Sequence, residues 1–377
     1  MFRLKELKLF QIIGCLSFLV LGLVINLCQL VLYICLIKIN KKLFREVNYY
    51  MMYGLYGYLL FIAEWWSGSR IKIYCDQELV KRMQEREPGE NAVIIMNHHY
   101  ELDWLYCWMI ADRVGVVGNC RAFIKDSLKY LPIIGWAGNF NDDIYIKRDF
   151  HKDQERMGKK LKELTEFPHP VWLHLFPEGT RYTEEKYKAS KEFAKSKGLP
   201  DLEHHLVPRT RGFTFTLANT DKTRMRTIYD LTLAAGMGAS APPTLTSLLL
   251  GRRTEATVVI RKILTDIVPE GEEEGKEWMM KLFQEKDKIK TSLLDGTWED
   301  VNKDCVYSDT VLQCVEHPPR PCSMVLAVAV NTIVISGLVW LLIVGGLSTW
   351  LVTGVVMTIA WVALHVLVGA TKVKKTQ

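Results

Sequence analysis

The apolar positions of this chain are gathered at its two ends. Leu9 to Ile37 runs 29 residues without a formal charge, longer than the roughly 20 a helix needs to cross hydrocarbon. It ends on Lys38, Lys41, Lys42 and Arg45 instead of a small-residue cleavage site, which predicts a retained membrane segment. No Asp, Glu, Lys or Arg stands between Arg320 and Lys372, room for two spans hinged near Gly345, Gly346 and Ser348. A further stretch, Val47 to Ala63, is aromatic-rich and broken by Gly54 and Gly57; it reads equally as a spanning or an interfacial helix.

Between these ends, Ile71 to Val268 alternates short apolar β-branched runs with amphipathic stretches, the pattern of an α/β domain. Ala92 to Met96 predicts a buried strand and Leu102 to Ile110 the helix after it. Asp142 to Ile146 and Val171 to Phe176 predict strands with a helix over Lys152 to Leu164 between them, and Ala256 to Ile263 a last strand after the loop at Pro242 and Pro243. Glu270 to Asp287 is dense in charge, which predicts a solvated helix. The expected division is an N-terminal membrane region (1–69), an α/β domain (70–268), a charged cytosolic helical extension (269–320), a two-span transmembrane hairpin (321–371) and a cytosolic tail (372–377).

Charge refines this picture more than composition does. A hairpin puts both its flanks on one side, and Arg320 before it with Lys372, Lys374 and Lys375 after it predict that side to be the cytosol. The final Lys374-Lys375-Thr376-Gln377 matches the dilysine retrieval pattern of the endoplasmic reticulum; it reads equally as a basic flank that stops transfer. A net charge of +6 suits anionic lipid and polyphosphorylated ligands without identifying either. The nine cysteines are scattered, with no Cys-x-x-Cys pair, which argues against a zinc ribbon and a disulfide framework.

Two segments carry chemistry. Asn97-His98-His99-Tyr100-Glu101-Leu102-Asp103 falls where a strand is expected to end and a helix to begin, an edge at which active residues of α/β sheets collect. A histidine at the strand exit and a carboxylate five residues later can face each other. The carboxylate then holds one ring nitrogen protonated and leaves the other as a base able to activate a substrate hydroxyl. On spacing alone, the better reading is His98 as a strand-end polar residue and Asp103 as a helix N-terminal carboxylate. A metal site is disfavoured, because adjacent His98 and His99 cannot point the same way. The second segment is Leu175-Phe176-Pro177-Glu178-Gly179-Thr180-Arg181. Here Gly179 permits a tight turn, Arg181 offers a fork for phosphate, and Glu178 is suited to a glycerol hydroxyl or to bracing Arg181. Standing alone it would be an ordinary turn with a surface ion pair. Lys147, Arg148, Arg209 and Arg211 add cations near both.

In this order the blocks resemble the glycerolipid acyltransferase family, whose first block is His-x4-Asp, here His98 to Asp103, and whose third contains Glu-Gly-Thr-Arg, here Glu178 to Arg181. The runs Phe123-Ile124-Lys125 to Leu131-Pro132-Ile133-Ile134-Gly135-Trp136, Lys197-Gly198-Leu199-Pro200, His204 to Phe213 and Ile228 to Thr232 are similar to the animal 1-acyl-glycerol-3-phosphate acyltransferases of the gamma, delta and epsilon type. The resemblance covers residues 70 to 265. It implies a mixed sheet flanked by helices, His98 as general base and Asp103 as its orienting partner. It further implies a glycerol-phosphate site at Glu178, Gly179, Thr180 and Arg181, with Arg148 as the basic residue of the second block. That block usually opens with glycine and Phe-Ile-x-Arg, where this chain has Asp142 and Tyr145-Ile146-Lys147-Arg148.

The activity so implied is transfer of an acyl group from acyl-CoA, a co-substrate and not a resident cofactor, to the sn-2 hydroxyl of lysophosphatidic acid. No metal, cofactor or nucleic acid is expected. The alternatives are a remodelling enzyme for another lysophospholipid such as lysophosphatidylinositol, and a catalytically silent lipid-binding membrane protein. The expected location is the endoplasmic reticulum membrane, with the α/β domain facing the cytosol. A hydrolase is disfavoured, since no Gly-x-Ser-x-Gly occurs.

Overall fold

The computed structural model describes residues 7–147, 150–237, 241–316 and 318–371. The tail 372–377, with its dilysine pattern, lies outside the described residues. The elements run α1 (Lys8–Leu36), α2 (Lys41–Phe61), β1 (Arg70–Cys75), α3 (Gln77–Glu85), β2 (Ala92–Met96), α4 (Asp103–Arg113), β3 (Cys120–Lys125), α5 (Ile134–Phe140), β4 (Ile144–Ile146), α6 (Phe150–Glu163), β5 (Trp172–Leu175), α7 (Glu184–Lys197), α8 (Arg211–Asn219), β6 (Thr227–Ala235), α9 (Leu245–Leu249), β7 (Glu255–Leu264), α10 (Glu272–Leu294), α11 (Trp298–Lys303), β8 (Gln313–Val315), α12 (Pro321–Val344) and α13 (Leu347–Thr371).

The eight strands form one mixed sheet in the order β4-β3-β5-β2-β6-β7-β1-β8. Strands β4, β3, β5, β2 and β6 are parallel, while β7 runs against β6 and β8 against β1. Every residue of β2 and β6 is buried, as expected of strands covered on both faces. The carboxyl ends of β2 and β5, which are neighbours in register from Ala92 and Trp172 onward, therefore meet at one sheet edge.

Four strands escape the periodicity: β8 is only three residues long, and the other three carry buried or alternating charge. Strand β1 alternates Arg70 and Lys72 with Ile71 and Ile73, and β3 buries Arg121, whose guanidinium donates to the carbonyls of Asn141 and Asn119 at 2.9 and 3.1 Å. Strand β6 holds fully buried Asp230, paired with Arg261 of β7 at 2.8 Å and Lys286 of α10 at 2.6 Å. A charged residue breaks an apolar run in the sequence although its partners neutralise it in the fold.

The division at residue 268 is corrected by α10. This helix is solvated on one face only: Glu277, Lys281 and Lys288 are exposed, whereas Met279, Leu282 and Phe283 pack with Val93 and Ile95 in the core, and Lys286, Asp287 and Lys290 are buried on the same side. Strand β8 then joins the sheet beside β1. Residues 269–316 thus complete the α/β unit and do not extend from it.

Among the described residues, two helices, α1 and α12, are long and apolar enough to cross a membrane. Helix α12 ends at Val344, and Gly345 and Gly346 link it to α13. Helix α1 is two-sided: Leu23, Val24, Leu27 and Val31 are exposed, while Gly22, Ile25, Asn26 and Gln29 are buried. Gly22 is needed there, since a Cβ would collide with Cγ2 of Ile133. Gln29 donates to Asn48 of α2 at 2.8 Å and Asn26 to the carbonyl of Ile133 at 3.4 Å. The segment left open between spanning and interfacial is α2, and it is an internal wedge. Met52, Leu55, Tyr56 and Leu60 are buried between α1, α12 and the sheet domain, and Tyr58 hydrogen-bonds Asn331 of α12 at 3.1 Å.

Candidate active site

Asn97 ends β2 with its side chain buried and turned to β6, where its Oδ1 accepts from Leu233 N at 2.8 Å and its Nδ2 donates to Leu233 O at 3.0 Å. That anchor fixes where the strand stops. Asp103 then opens α4, so its carboxylate sits at the positive end of the helix.

Across the turn, Nδ1 of His98 is 2.9 Å from Oδ2 of Asp103, and the N–H of Tyr100 donates to the same oxygen at 2.9 Å. Asp103 is fully buried, while the His98 side chain is 27% exposed. Burial raises the Asp103 carboxyl from its ordinary range, and the hydrogen bond and charge of His98 oppose that rise. With its Nδ1 proton donated to Asp103, His98 presents Nε2 as a base. The neighbouring His99 is unsuited to that role. Burial and then the charge of Lys290 push it down to about 3, its ring stacks on Tyr182 at 4.3 Å, and its Nδ1 meets Lys290 Nζ at 3.1 Å.

The second segment leaves β5 beside this turn. The N–H of Tyr182 donates to the carbonyl of His98 at 2.7 Å, and the ring of Phe176 lies 4.5 Å from that of His98. Gly179 has φ +68°, and a Cβ there would stand 2.9 Å from Cδ of Arg209, so both conformation and space call for glycine. The Arg209 N–H donates to Pro177 O at 2.6 Å, which closes the Val207 to Arg211 segment over this turn. Thr180 Oγ1 accepts from Lys186 at 2.7 Å, and Lys186 also donates to Arg181 O at 3.0 Å. Arg181 is half-buried at the same edge.

Glu178, expected to meet a glycerol hydroxyl or to brace Arg181, has both oxygens turned to the main chain. Its side chain is buried, and its two oxygens accept the backbone N–H groups of His98 at 2.7 Å and Leu206 at 3.1 Å. Burial pushes it up to about 7, against the pull of those N–H groups and of Lys290. A carboxylate engaged on both oxygens by the main chain is a clamp on the His98 turn. Arg148 lies outside the described residues; its neighbour Lys147 is exposed, with its N–H donating to Asp153 at 2.7 Å.

Sequence reasoning missed the contribution of α10. Asp287 accepts from Glu203 N at 2.7 Å, His204 N at 2.8 Å and His205 Nδ1 at 2.8 Å. The available signal was spacing: Met279, Phe283, Lys286 and Lys290 continue one stripe at intervals of three and four, so the charges share the apolar face.

Beside the site, a small cavity is lined by Cys15 and Phe18 of α1, Leu59 of α2, Trp104 and Leu105 of α4, and Leu248 of α9. Its walls are almost wholly apolar, and Trp104 follows Asp103 directly.

The acyltransferase family model matches residues 76–231, and one described as an acyltransferase C-terminus matches residues 247–329. The human protein named 1-acyl-sn-glycerol-3-phosphate acyltransferase gamma is 37% identical over 272 residues, 72% of this chain and 70% of its own. The bovine delta protein is 37% identical over 287 residues, 75% of this chain and 73% of its own, and the mouse delta protein 36% over the same length.

Proposed function

This chain belongs to the 1-acyl-sn-glycerol-3-phosphate acyltransferase family, and we propose that it carries an acyl group from acyl-CoA to the sn-2 hydroxyl of 1-acyl-glycerol-3-phosphate, giving phosphatidic acid. The observation that carries the mechanism is the pairing of partly exposed His98 with buried Asp103 at 2.9 Å, with His98 hydrogen-bonded through its backbone to the segment that bears Arg181.

In this reading, Nε2 of His98 takes the proton of the acceptor hydroxyl as its oxygen attacks the thioester carbonyl. Asp103 keeps the ring oriented and stabilises the imidazolium that forms. The tetrahedral intermediate collapses with cleavage of the carbon–sulfur bond, and the proton held on His98 passes to the departing CoA sulfur. No covalent acyl-enzyme is required. Arg181, with Arg148 as a second cation, binds the phosphomonoester of the acceptor, where a guanidinium fork matches two phosphate oxygens. Gly179 and Thr180 shape that turn, and Glu178 acts on substrate only through the backbone it clamps. The apolar walls beside Trp104 match an acyl chain in chemistry, and the small cavity they enclose would have to widen to admit one.

Acyl-CoA, a lysophospholipid and the bilayer are the partners this scheme needs. Endoplasmic reticulum residence with the α/β unit in the cytosol is supported by Lys374 and Lys375 and by the basic flanks Arg320 and Lys372. The test is acyl transfer from oleoyl-CoA by purified protein, with lysophosphatidic acid and lysophosphatidylinositol in parallel, for wild type and His98→Ala. The expected result is a preference for lysophosphatidic acid and a loss of about 10²-fold or more in the variant. Wild-type-like turnover by His98→Ala would overturn the mechanism, and no transfer to either acceptor would overturn the function.

A further inference from the structure

Two bridges join the turn after β2 to the strap Leu202–Leu206. One is anionic: Glu178 accepts from the backbone N–H of His98 and of Leu206. The other is cationic and comes from α10, where Lys290 Nζ donates to Nδ1 of His99 at 3.1 Å and to the carbonyl of His204 at 3.5 Å. They connect the same two segments, at adjacent residues of the turn, His98 and His99, and two residues apart on the strap, at Leu206 and His204. Three residues earlier on α10, Asp287 holds the strap by the N–H groups of Glu203 and His204 and by the ring of His205.

Lys290 is only 1% exposed. Among the described residues, its hydrogen-bond partners are both neutral acceptors. A buried ammonium so placed is costly unless carboxylates close by offset it. Those that do so are Glu178 and Asp103 from the sheet edge and Asp287 from its own helix. Lys286, also on α10, opposes them. His99, His204 and His205 complete the titratable groups around it, and the ring of Tyr100 lies 5.7 Å away.

We propose that Lys290 is a positioning residue of the acyl-transfer site, fixing through His99 and the strap the backbone turn that carries His98. The catalytic part rests on the reading given above; the positioning part stands on the contacts alone. Lys290 also supplies the positive charge that favours the ionised form of Glu178, and that form offers a strong acceptor to each N–H, whereas protonation turns one oxygen into a hydroxyl and a weaker acceptor. Burial pushes Glu178 up to about 7 and Lys290 down to about 8, and each charge opposes the other's shift. Without Lys290 the Glu178 carboxyl holds its proton to higher pH, and the anionic bridge fails at neutral pH.

The experiment compares full-length wild type, Lys290→Met and Lys290→Arg in detergent by two measurements. Hydrogen exchange of peptides covering 97–103 and 202–206, at pH 7 and pH 9, reads the bridges whether or not the protein transfers acyl groups. Steady-state acyl transfer across the same pH range reads the consequence. In Lys290→Met, exchange is expected to quicken in those two segments while β6 and β7 stay protected. Its kcat should fall about 10-fold or more at pH 7, with KM for oleoyl-CoA changed less than about twofold. The deficit should shrink toward pH 9, where Glu178 ionises unaided. Lys290→Arg, which keeps the charge, should retain most of the protection. Unchanged exchange in both segments, or a loss of kcat that is the same at every pH, would overturn the proposal. Should Lys290→Met fail to fold, the double variant Glu178→Gln with Lys290→Met leaves no buried charge uncompensated in this pair; wild-type protection of both segments in it would be equally decisive against. A wild type without transferase activity would defeat the acyl-transfer reading, leaving the exchange measurement to decide the positioning role.

Discussion

The backbone N–H of Tyr182 donates to the carbonyl of His98 at 2.7 Å. Two loops 84 residues apart in sequence are therefore one piece of structure, with the candidate base on one side and Arg181, the residue before Tyr182, on the other. Such direct coupling means that disturbing either loop should be felt in the other.

Asp103→Asn keeps a side chain of similar shape but can no longer hold the proton on Nδ1 of His98 by charge. The amide either donates to Nδ1, which forces the wrong tautomer, or accepts more weakly. A fall in kcat of about 10²- to 10⁴-fold is expected with little change in thermal stability. Kinetics and a melting curve on the same preparation check it; wild-type kcat would remove Asp103 from the mechanism.

Gly179→Ala places a methyl group at φ +68° and 2.9 Å from Cδ of Arg209. Strain and crowding together should cost about 1–2 kcal/mol and tilt the Thr180 and Arg181 backbone. Because Arg181 is assigned to the acceptor phosphate, KM for lysophosphatidic acid should rise several-fold more than KM for oleoyl-CoA. Equal effects on both substrates would contradict that assignment.

The pH dependence follows from Glu178, whose folded value of about 7 is raised by burial above the ordinary carboxylate range. A carboxyl with a raised folded value stabilises the fold below its unfolded value, and that contribution is lost as pH rises through about 7. Acidification from pH 8 to 6 should thus cost no stability through this group. It nevertheless converts one acceptor to an O–H and loosens the clamp on His98. Activity is expected to decline over this window while the melting temperature does not, and a parallel decline of both would refute the account.

The sequence made some of this legible and hid the rest for identifiable reasons. Strands β2 and β5 read directly, because both faces are covered and the apolar run is unbroken. His98, Asp103 and Arg181 stood out as polar residues at the ends of such runs. The inward orientation of Glu178 did not, since nothing in Glu-Gly-Thr-Arg tells a clamp on backbone N–H groups from a ligand to substrate. Strand β6 and helix α10 were obscured by the same cause seen from two sides. Asp230 and Lys286 each look solvated in isolation, and only their contact at 2.6 Å makes either one a core residue.

That contact yields its own expectation. Asp230→Ala leaves Lys286 and Arg261 buried without their shared carboxylate. Removing one partner of a buried pair typically costs about 3–5 kcal/mol. Denaturant or thermal unfolding in detergent should show a loss of that order, and a change below about 1 kcal/mol would mean that water or another acid already compensates these cations.

Acyl-chain selection is the prediction that ties the membrane helices to the chemistry. The apolar cavity lies between α1, α2, α4 and α9, with Cys15 of α1 on its wall and Trp104, next to Asp103, on another. A chain entering from the thioester end would run from α4 toward α1, so bulk added at Cys15 should shorten what fits without touching His98. Cys15→Trp is expected to lower kcat/KM for oleoyl-CoA about 10-fold or more while leaving a twelve-carbon acyl-CoA within about twofold, since each methylene kept out of an apolar site forfeits about 0.8 kcal/mol. Comparing the two donors in one assay makes the result independent of how much active protein each preparation holds. A uniform loss for both chain lengths would show that Cys15 supports the fold and not the cavity, and would move the acyl site away from α1.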